Sequence, residues 1–108
     1  MKIYGLGTCD TCRKARKLLP NAEFIDVRAD GMPDKVLGLA YEKFGNKLLN
    51  TRSKTWQSLS TDERNGAPVD LIYAHPLLMK RPLIEKDGIF FMGWTKEVQE
   101  ALVPDAEI

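Results

Sequence analysis

The chain has 108 residues, 44% of them hydrophobic, with 16 basic against 15 acidic side chains and a formal net charge of +1. A chain this long buries roughly two-thirds of the surface its unfolded form exposes, enough for one hydrophobic core, so a single domain over 1–108 is expected. The balanced charge excludes a constitutive nucleic-acid binder, which concentrates a large basic excess on one face, and leaves at most a local basic patch. Apolar runs such as 71–74 and 89–92 fall far short of the ~20 residues of a membrane span, so no membrane association is expected.

The segment 2–6 carries Ile3 and Tyr4 and breaks at Gly5 and Gly7, which reads as a short strand running into a loop. From 10 to 19, Cys12, Ala15, Leu18 and Leu19 recur at helical spacing, with Arg13, Lys14, Arg16 and Lys17 on the remaining surface. Pro20 ends that helix, and 23–27 reads as a second strand, completing a strand, helix, strand unit with a parallel pair. From 33 to about 78 the sequence shows helical periodicity and breakers but no convincing strand. Pro33-Asp34 opens a helix bearing Val36, Leu37, Ala40, Tyr41 and Phe44, and Gly45 is placed to cap it. Ser60 with Glu63 matches a capping box, and Pro68 suits the first turn of a further helix. The helical section therefore reads as four short pieces. Strands at 81–85 and 89–92, joined by an Asp87-Gly88 turn, form a hairpin. A closing helix spans 95–103, and the acidic tail after Pro104 is expected to fray.

The chain begins at Met1 and reaches Cys9 and then charges before a signal-peptide core of roughly 7 to 15 residues forms, which points to the cytoplasm. In a reducing compartment a lone pair of cysteines three residues apart is more often catalytic or metal-binding than structural. Cys9, just before an amphipathic helix, lies near unsatisfied N–H groups and the positive end of the helix dipole, which favour thiolate over thiol. Arg13 and Lys14 add to that field and Asp10 works against it. Cys12 falls on the same face of the first turn, where its sulfur can attack a mixed disulfide formed at Cys9. The competing readings are a buried structural pair and a metal site. A structural zinc site needs four ligands, and the chain offers only these cysteines and His75 as soft donors, so no metal is expected.

Thr8-Cys9-Asp10-Thr11-Cys12-Arg13-Lys14-Ala15-Arg16 resembles the active-site loop of the ArsC/Spx family, the glutaredoxin-like arsenate reductases and their relatives. The segment 50–56, Lys80-Arg81-Pro82-Leu83-Ile84 and Met92-Gly93-Trp94 resemble, in order, three further family segments. The resemblance implies an α/β fold: a thioredoxin/glutaredoxin-like four-stranded mixed sheet with a helical insertion, about 31–80, between strands 2 and 3. It also implies a cis peptide before Pro82, which it sets beside Cys9. By position, Cys9 becomes the nucleophile and Arg52 and Arg81 the ligands of a small oxyanion, while Cys12 keeps the role of resolving thiol that its spacing gives it. Arginine suits that role because its planar fork makes paired, charge-assisted hydrogen bonds to tetrahedral oxyanions. The activity implied is a cytosolic thiol-disulfide oxidoreductase of arsenate-reductase type, acting on an oxyanion or mixed disulfide. It would hold no bound cofactor, with glutathione as cosubstrate or a glutaredoxin- or thioredoxin-type donor.

The sequence departs from the reductases at two places. A third arginine expected shortly after Gly93 is replaced by Trp94-Thr95-Lys96, and Cys12 stands where those reductases usually lack a cysteine. Spx proteins do carry Cys-x-x-Cys, and Arg52-Ser53-Lys54 matches their form, so the alternative is a redox-sensing regulator that binds RNA polymerase. Against it, the tail from Pro104 to Ile108 is short and acidic where Spx proteins tend to be basic. Read without the family, Arg52 and Arg81 are solvated surface arginines or members of structural ion pairs. Arg13, with Lys14, Arg16 and Lys17, is a solvated helix face that can also receive anionic glutathione. His75 reads as a helix-end or packing residue, and Trp56 and Trp94 as core or groove residues.

Overall fold

The computed structural model describes residues 1–103, so the tail expected to fray lies outside the described residues. The chain divides into two compact units, one from 1–26 with the segment from 81 onward, the other from 27–80.

The first unit is built on a four-stranded sheet of β1 (Lys2–Gly5), β2 (Glu23–Asp26), β3 (Leu83–Lys86) and β4 (Ile89–Met92) in the order β2-β1-β3-β4. β1 runs parallel to β2, while β3 pairs antiparallel with both β1 and β4, giving the mixed sheet of a thioredoxin-like fold. Because strand side chains alternate faces, the register sets Phe24, Ile3, Ile84 and Phe91 in one row across it. Onto that row pack α1 (Asp10–Leu18) and α7 (Lys96–Leu102), through Ala15, Leu19, Val98 and Leu102. Each fully buried aliphatic side chain contributes about 1.5 to 3 kcal/mol, so this layer holds the unit together. At the end of α1 the Leu19 N–H still reaches the Ala15 carbonyl at 2.9 Å, and Pro20 has no N–H with which to continue.

β3 starts at Leu83 rather than Arg81, since Pro82 has no N–H to give to a ladder; the Arg81-Pro82 peptide bond is cis. The Asp87-Gly88 turn has φ of 53° and 80°, the left-handed pair that a two-residue hairpin of matching twist requires. Thr95 caps α7 by accepting from the Val98 N–H at 3.3 Å.

In the second unit β2 gives way after Asp26 to a single helical turn, α2 (Val27–Asp30), in place of the expected fifth strand residue. Val27 is fully buried, and its carbonyl accepts from the Gly31 N–H at 2.9 Å. Then come α3 (Asp34–Phe44), a 3₁₀ turn (Gly45–Leu48), α4 (Lys54–Ser58), α5 (Thr61–Arg64), α6 (Pro68–Ala74) and a second 3₁₀ turn (Pro76–Leu78). Between 33 and 78 the four helical pieces read from the sequence are α3 to α6; the structure adds two 3₁₀ turns there and the single turn α2 before it. Gly45, at φ 58°, closes α3 as expected. The capping box is present, with the Ser60 N–H donating to Glu63 at 2.8 Å and the Glu63 N–H to Ser60 Oγ at 3.1 Å. A single β-bridge, Leu49 to Met79, ties the unit, flanked by Asn50 N–H to Leu78 carbonyl at 2.7 Å and Lys80 N–H to Leu48 carbonyl at 2.8 Å. One residue pair leaves no alternating pattern in the sequence. Among the described residues no helix is long and apolar enough to cross a membrane.

Candidate active site

The loop after β1 delivers Cys9 to the N-cap of α1 in an extended conformation, φ −82° and ψ 122°, so the chain turns into the helix at the sulfur-bearing residue. Its carbonyl accepts from the Arg13 N–H at 2.9 Å and its N–H donates to the Leu6 carbonyl at 3.2 Å, fixing the residue from both sides. Cys9 is half-buried and Cys12 wholly buried, and both are free thiols. Three residues of helix bring Cys12 under Cys9, and its thiol donates to the Cys9 sulfur.

Partial burial pushes the Cys9 thiol up. The Cys12 N–H, the Cys12 thiol, the Arg81 charge and the Thr11 N–H together outweigh it, and Cys9 ionises more readily than an ordinary thiol. The N–H groups of the first turn of α1, those of Thr11 and Cys12, are the ones that favour the Cys9 thiolate. Cys12 goes the other way. Burial first, and then the neighbouring Cys9 thiolate, push it up to about 12, against the opposing pull of the Leu6 N–H and Arg81. Two sulfurs one turn apart are thereby split into a nucleophile and a protonated reserve. Brief iodoacetamide treatment at neutral pH is expected to alkylate Cys9 and spare Cys12. Cys9 labelling should reach its plateau at lower pH than a free thiol does, and Cys12 should label only in strong base or after unfolding. Mass mapping across pH checks this, and preferential labelling of Cys12 would reverse the roles.

The room for Cys12 comes from Gly5. A Cβ at position 5 would lie 2.5 Å from the Cys12 sulfur and 3.3 Å from its Cβ, so the end of β1 and the first turn of α1 approach this closely only with glycine there. Read from the sequence, Gly5 was a strand breaker; its place one residue beyond Tyr4 and seven before Cys12 carries no signal of its own. Gly5→Ala is expected to cost about 1 to 3 kcal/mol, the range for overpacking. Cys12→Ala, which removes the nearest atom, should recover most of that loss in the double variant. Denaturant melts of the four proteins measure the coupling.

Of the other expected site residues, Arg81 belongs to this unit and its charge acts on both sulfurs. Pro82 is fully buried, and its carbonyl accepts from the Gly93 N–H at 2.8 Å, tying the segment before β3 to the segment after β4. Arg13 is exposed and paired with Asp10 at 2.5 Å, and of the arginines it is Arg81, not Arg13, whose charge acts on Cys9. Arg52 belongs to the helical unit, in an exposed turn whose N–H donates to Asn50 Oδ1 at 3.1 Å, just before Ser53 caps α4 by accepting from the Trp56 N–H. His75 ends α6, as its sequence context suggests. Trp94 is half-buried against the α1 and α7 layer, and its carbonyl accepts from Gln99 Nε2 at 3.0 Å. Among the described residues no group of three or more His, Cys, Asp or Glu is arranged to hold a metal ion.

A family model described as the ArsC family matches residues 4–102. The chain is similar to the solved YFFB (PA3664) protein, with a TM-score of 0.85 and 26% identity over 94% of this chain and 97% of that one. It is also similar to the solution structure of an arsenate reductase (ArsC) related protein from Brucella melitensis, with a TM-score of 0.67 and 30% identity over 93% of this chain and 91% of that one. The global transcriptional regulator Spx 1 of Lactococcus lactis is 27% identical, over 94% of this chain and 88% of that protein.

Proposed function

The chain belongs to the ArsC family, and from that premise we propose that it is a thiol-disulfide oxidoreductase of arsenate-reductase type, working in the cytoplasm with glutathione or a dithiol donor. The observation that carries this reading is the pair of sulfurs at the start of α1, one half-exposed and readily ionised, the other buried and protonated behind it. On a glutathione mixed disulfide, the Cys9 thiolate attacks the glutathione sulfur and expels the substrate thiolate, which takes a proton. Cys12 then gives up its proton and attacks the Cys9 sulfur, forming the Cys9–Cys12 disulfide and releasing glutathione. Two further glutathione thiols, or one dithiol, reduce that disulfide and leave as the oxidised pair. On an oxyanion, the Cys9 thiolate displaces one oxygen, which takes up two protons and leaves as water; attack of Cys12 or glutathione on the Cys9 sulfur then breaks its bond to the central atom, returns the electron pair to that atom and leaves a disulfide at Cys9, which the donor reduces as above. Arg52 and Arg81 are assigned to the oxyanion by their match to the family pattern, Pro82 to the substrate side by the cis peptide that the pattern sets beside Cys9, and Arg13 to anionic glutathione by its charge. For Arg81 the charge felt at both sulfurs gives separate support.

The second reading, a redox-sensing regulator that binds RNA polymerase, is favoured by the likeness to Spx 1 and by the Cys-x-x-Cys itself. One experiment separates the two. The purified chain is expected to turn over a glutathionylated peptide with glutathione catalytically; stoichiometric oxidation without turnover, together with co-purification of RNA polymerase, would favour the regulator.

A further inference from the structure

The outer side of α1 carries a groove that extends well past the glutathione-receiving role given to Arg13. Arg13, Arg16 and Lys17, together with Pro20 and Phe24, line this open groove of about 430 Å³. Past Leu19, Pro20 and Ala22, which both share, the groove continues into a smaller hollow of about 280 Å³ reaching Met1 and Leu18. Met1 and Leu18 are each 42% exposed, an aliphatic end joined to a cationic one.

Three properties of this strip restrict what it fits. The Arg16 guanidinium lies 4.0 Å from the Phe24 ring centroid and is held there, so its N–H edges are presented without further loss of side-chain freedom. Phe24 is thereby covered by Arg16, and it also packs on the core, which leaves no open aromatic face for stacking a nucleic-acid base. The aliphatic hollow would go unfilled by a small anion. Asp10 offsets part of the Arg13 charge, leaving Arg16 and Lys17 as the principal cations.

We propose that this strip is a docking site for an acidic peptide segment of a partner protein, with carboxylates along Arg16 and Lys17 and one aliphatic side chain in the hollow beside Leu18 and Met1. Charge complementarity selects the acidic run, and the hollow sets its register. The site stands apart from the reaction at Cys9, so the test uses the full chain with Cys9→Ser. The probe is a fluorescein-labelled Glu-Asp-Glu-Gly-Leu peptide followed by anisotropy. Saturable binding is expected, weakened about tenfold or more by Arg16→Glu with Lys17→Glu, by replacing the peptide leucine with serine, or by raising salt from 50 to 500 mM. Lys17→Glu alone, which leaves the Arg16 stack in place, should weaken binding in the same direction by about threefold. Absence of saturable binding would overturn the proposal. So would indifference to these substitutions, equal binding of a single-stranded oligonucleotide of matched charge, or displacement by glutathione at constant ionic strength.

Discussion

Cys9→Ser is expected to lower turnover of a glutathionylated substrate by at least about a thousandfold, because a serine hydroxyl at this N-cap does not ionise near neutral pH and no other exposed thiol replaces it. Cys12→Ser should behave differently. With Cys12 pushed up to about 12, its thiolate fraction at pH 7 is on the order of 10⁻⁵, while a well-oriented intramolecular attack gains an effective molarity of about 10⁵ M or more. The product corresponds to about 1 M of thiolate at the Cys9 sulfur, against roughly 10⁻⁴ M of thiolate from millimolar glutathione, so Cys12 resolves the adduct first; glutathione must then attack the Cys9–Cys12 disulfide, a bimolecular step of the same kind that the serine variant needs. Formation of the adduct also removes the Cys9 negative charge that helps hold Cys12 protonated, which tips the balance toward internal resolution. A loss of about tenfold or less is therefore expected for Cys12→Ser with glutathione as donor, together with accumulation of glutathionylated Cys9. Steady-state rates and intact mass distinguish the variants. Equal loss from both would mean that glutathione cannot reach the adduct and that Cys12 is obligatory.

The parts of this site that were legible in the sequence are those set by local rules. Cys9 before an amphipathic run, Pro20 after it, the Asp87-Gly88 turn and the Ser60 and Glu63 pair each act within a few residues, and each is where its pattern puts it. The sheet order was legible only through the family resemblance, since no short-range signal tells β1 to sit between β2 and β3. What stayed hidden depends on approach between distant segments. Gly5 against Cys12, the Leu6 N–H acting on the Cys12 sulfur and the Leu49 to Met79 bridge are facts of packing with no periodic trace. The same holds for α2 and the 3₁₀ turns, which are too short to display a hydrophobic period. The split between the two thiols was foreseen in direction for Cys9, from the helix terminus. The rise at Cys12 needed its burial, which spacing does not supply.

Arsenate is expected to be a poor substrate relative to a glutathione mixed disulfide, by a margin traceable to position 94. Reduction of an oxyanion requires arsenic to be held in line with the Cys9 sulfur, and each charged hydrogen bond to the oxyanion contributes about 1.5 to 3 kcal/mol. With Trp94 and Thr95 where the family pattern leads to a third arginine, one such contact is missing. That corresponds to roughly 10- to 100-fold in kcat/KM. The structure shows what this site holds instead: Trp94 packs against the α1 and α7 layer, and Thr95 caps α7. Trp94→Arg therefore has two expected effects of opposite value. It should raise arsenate kcat/KM by about 10- to 100-fold, and it should lower stability by about 1 to 3 kcal/mol, since a half-buried aromatic is replaced by a chain that cannot fill its place. Trp94→Leu is the control, keeping apolar packing without a guanidinium, and it should leave arsenate turnover unchanged. If Trp94→Arg folds and gains nothing, or if the natural chain already reduces arsenate more efficiently than a glutathionylated peptide, then position 94 does not limit oxyanion chemistry. The in-line geometry would then have to be supplied by the arginines already present.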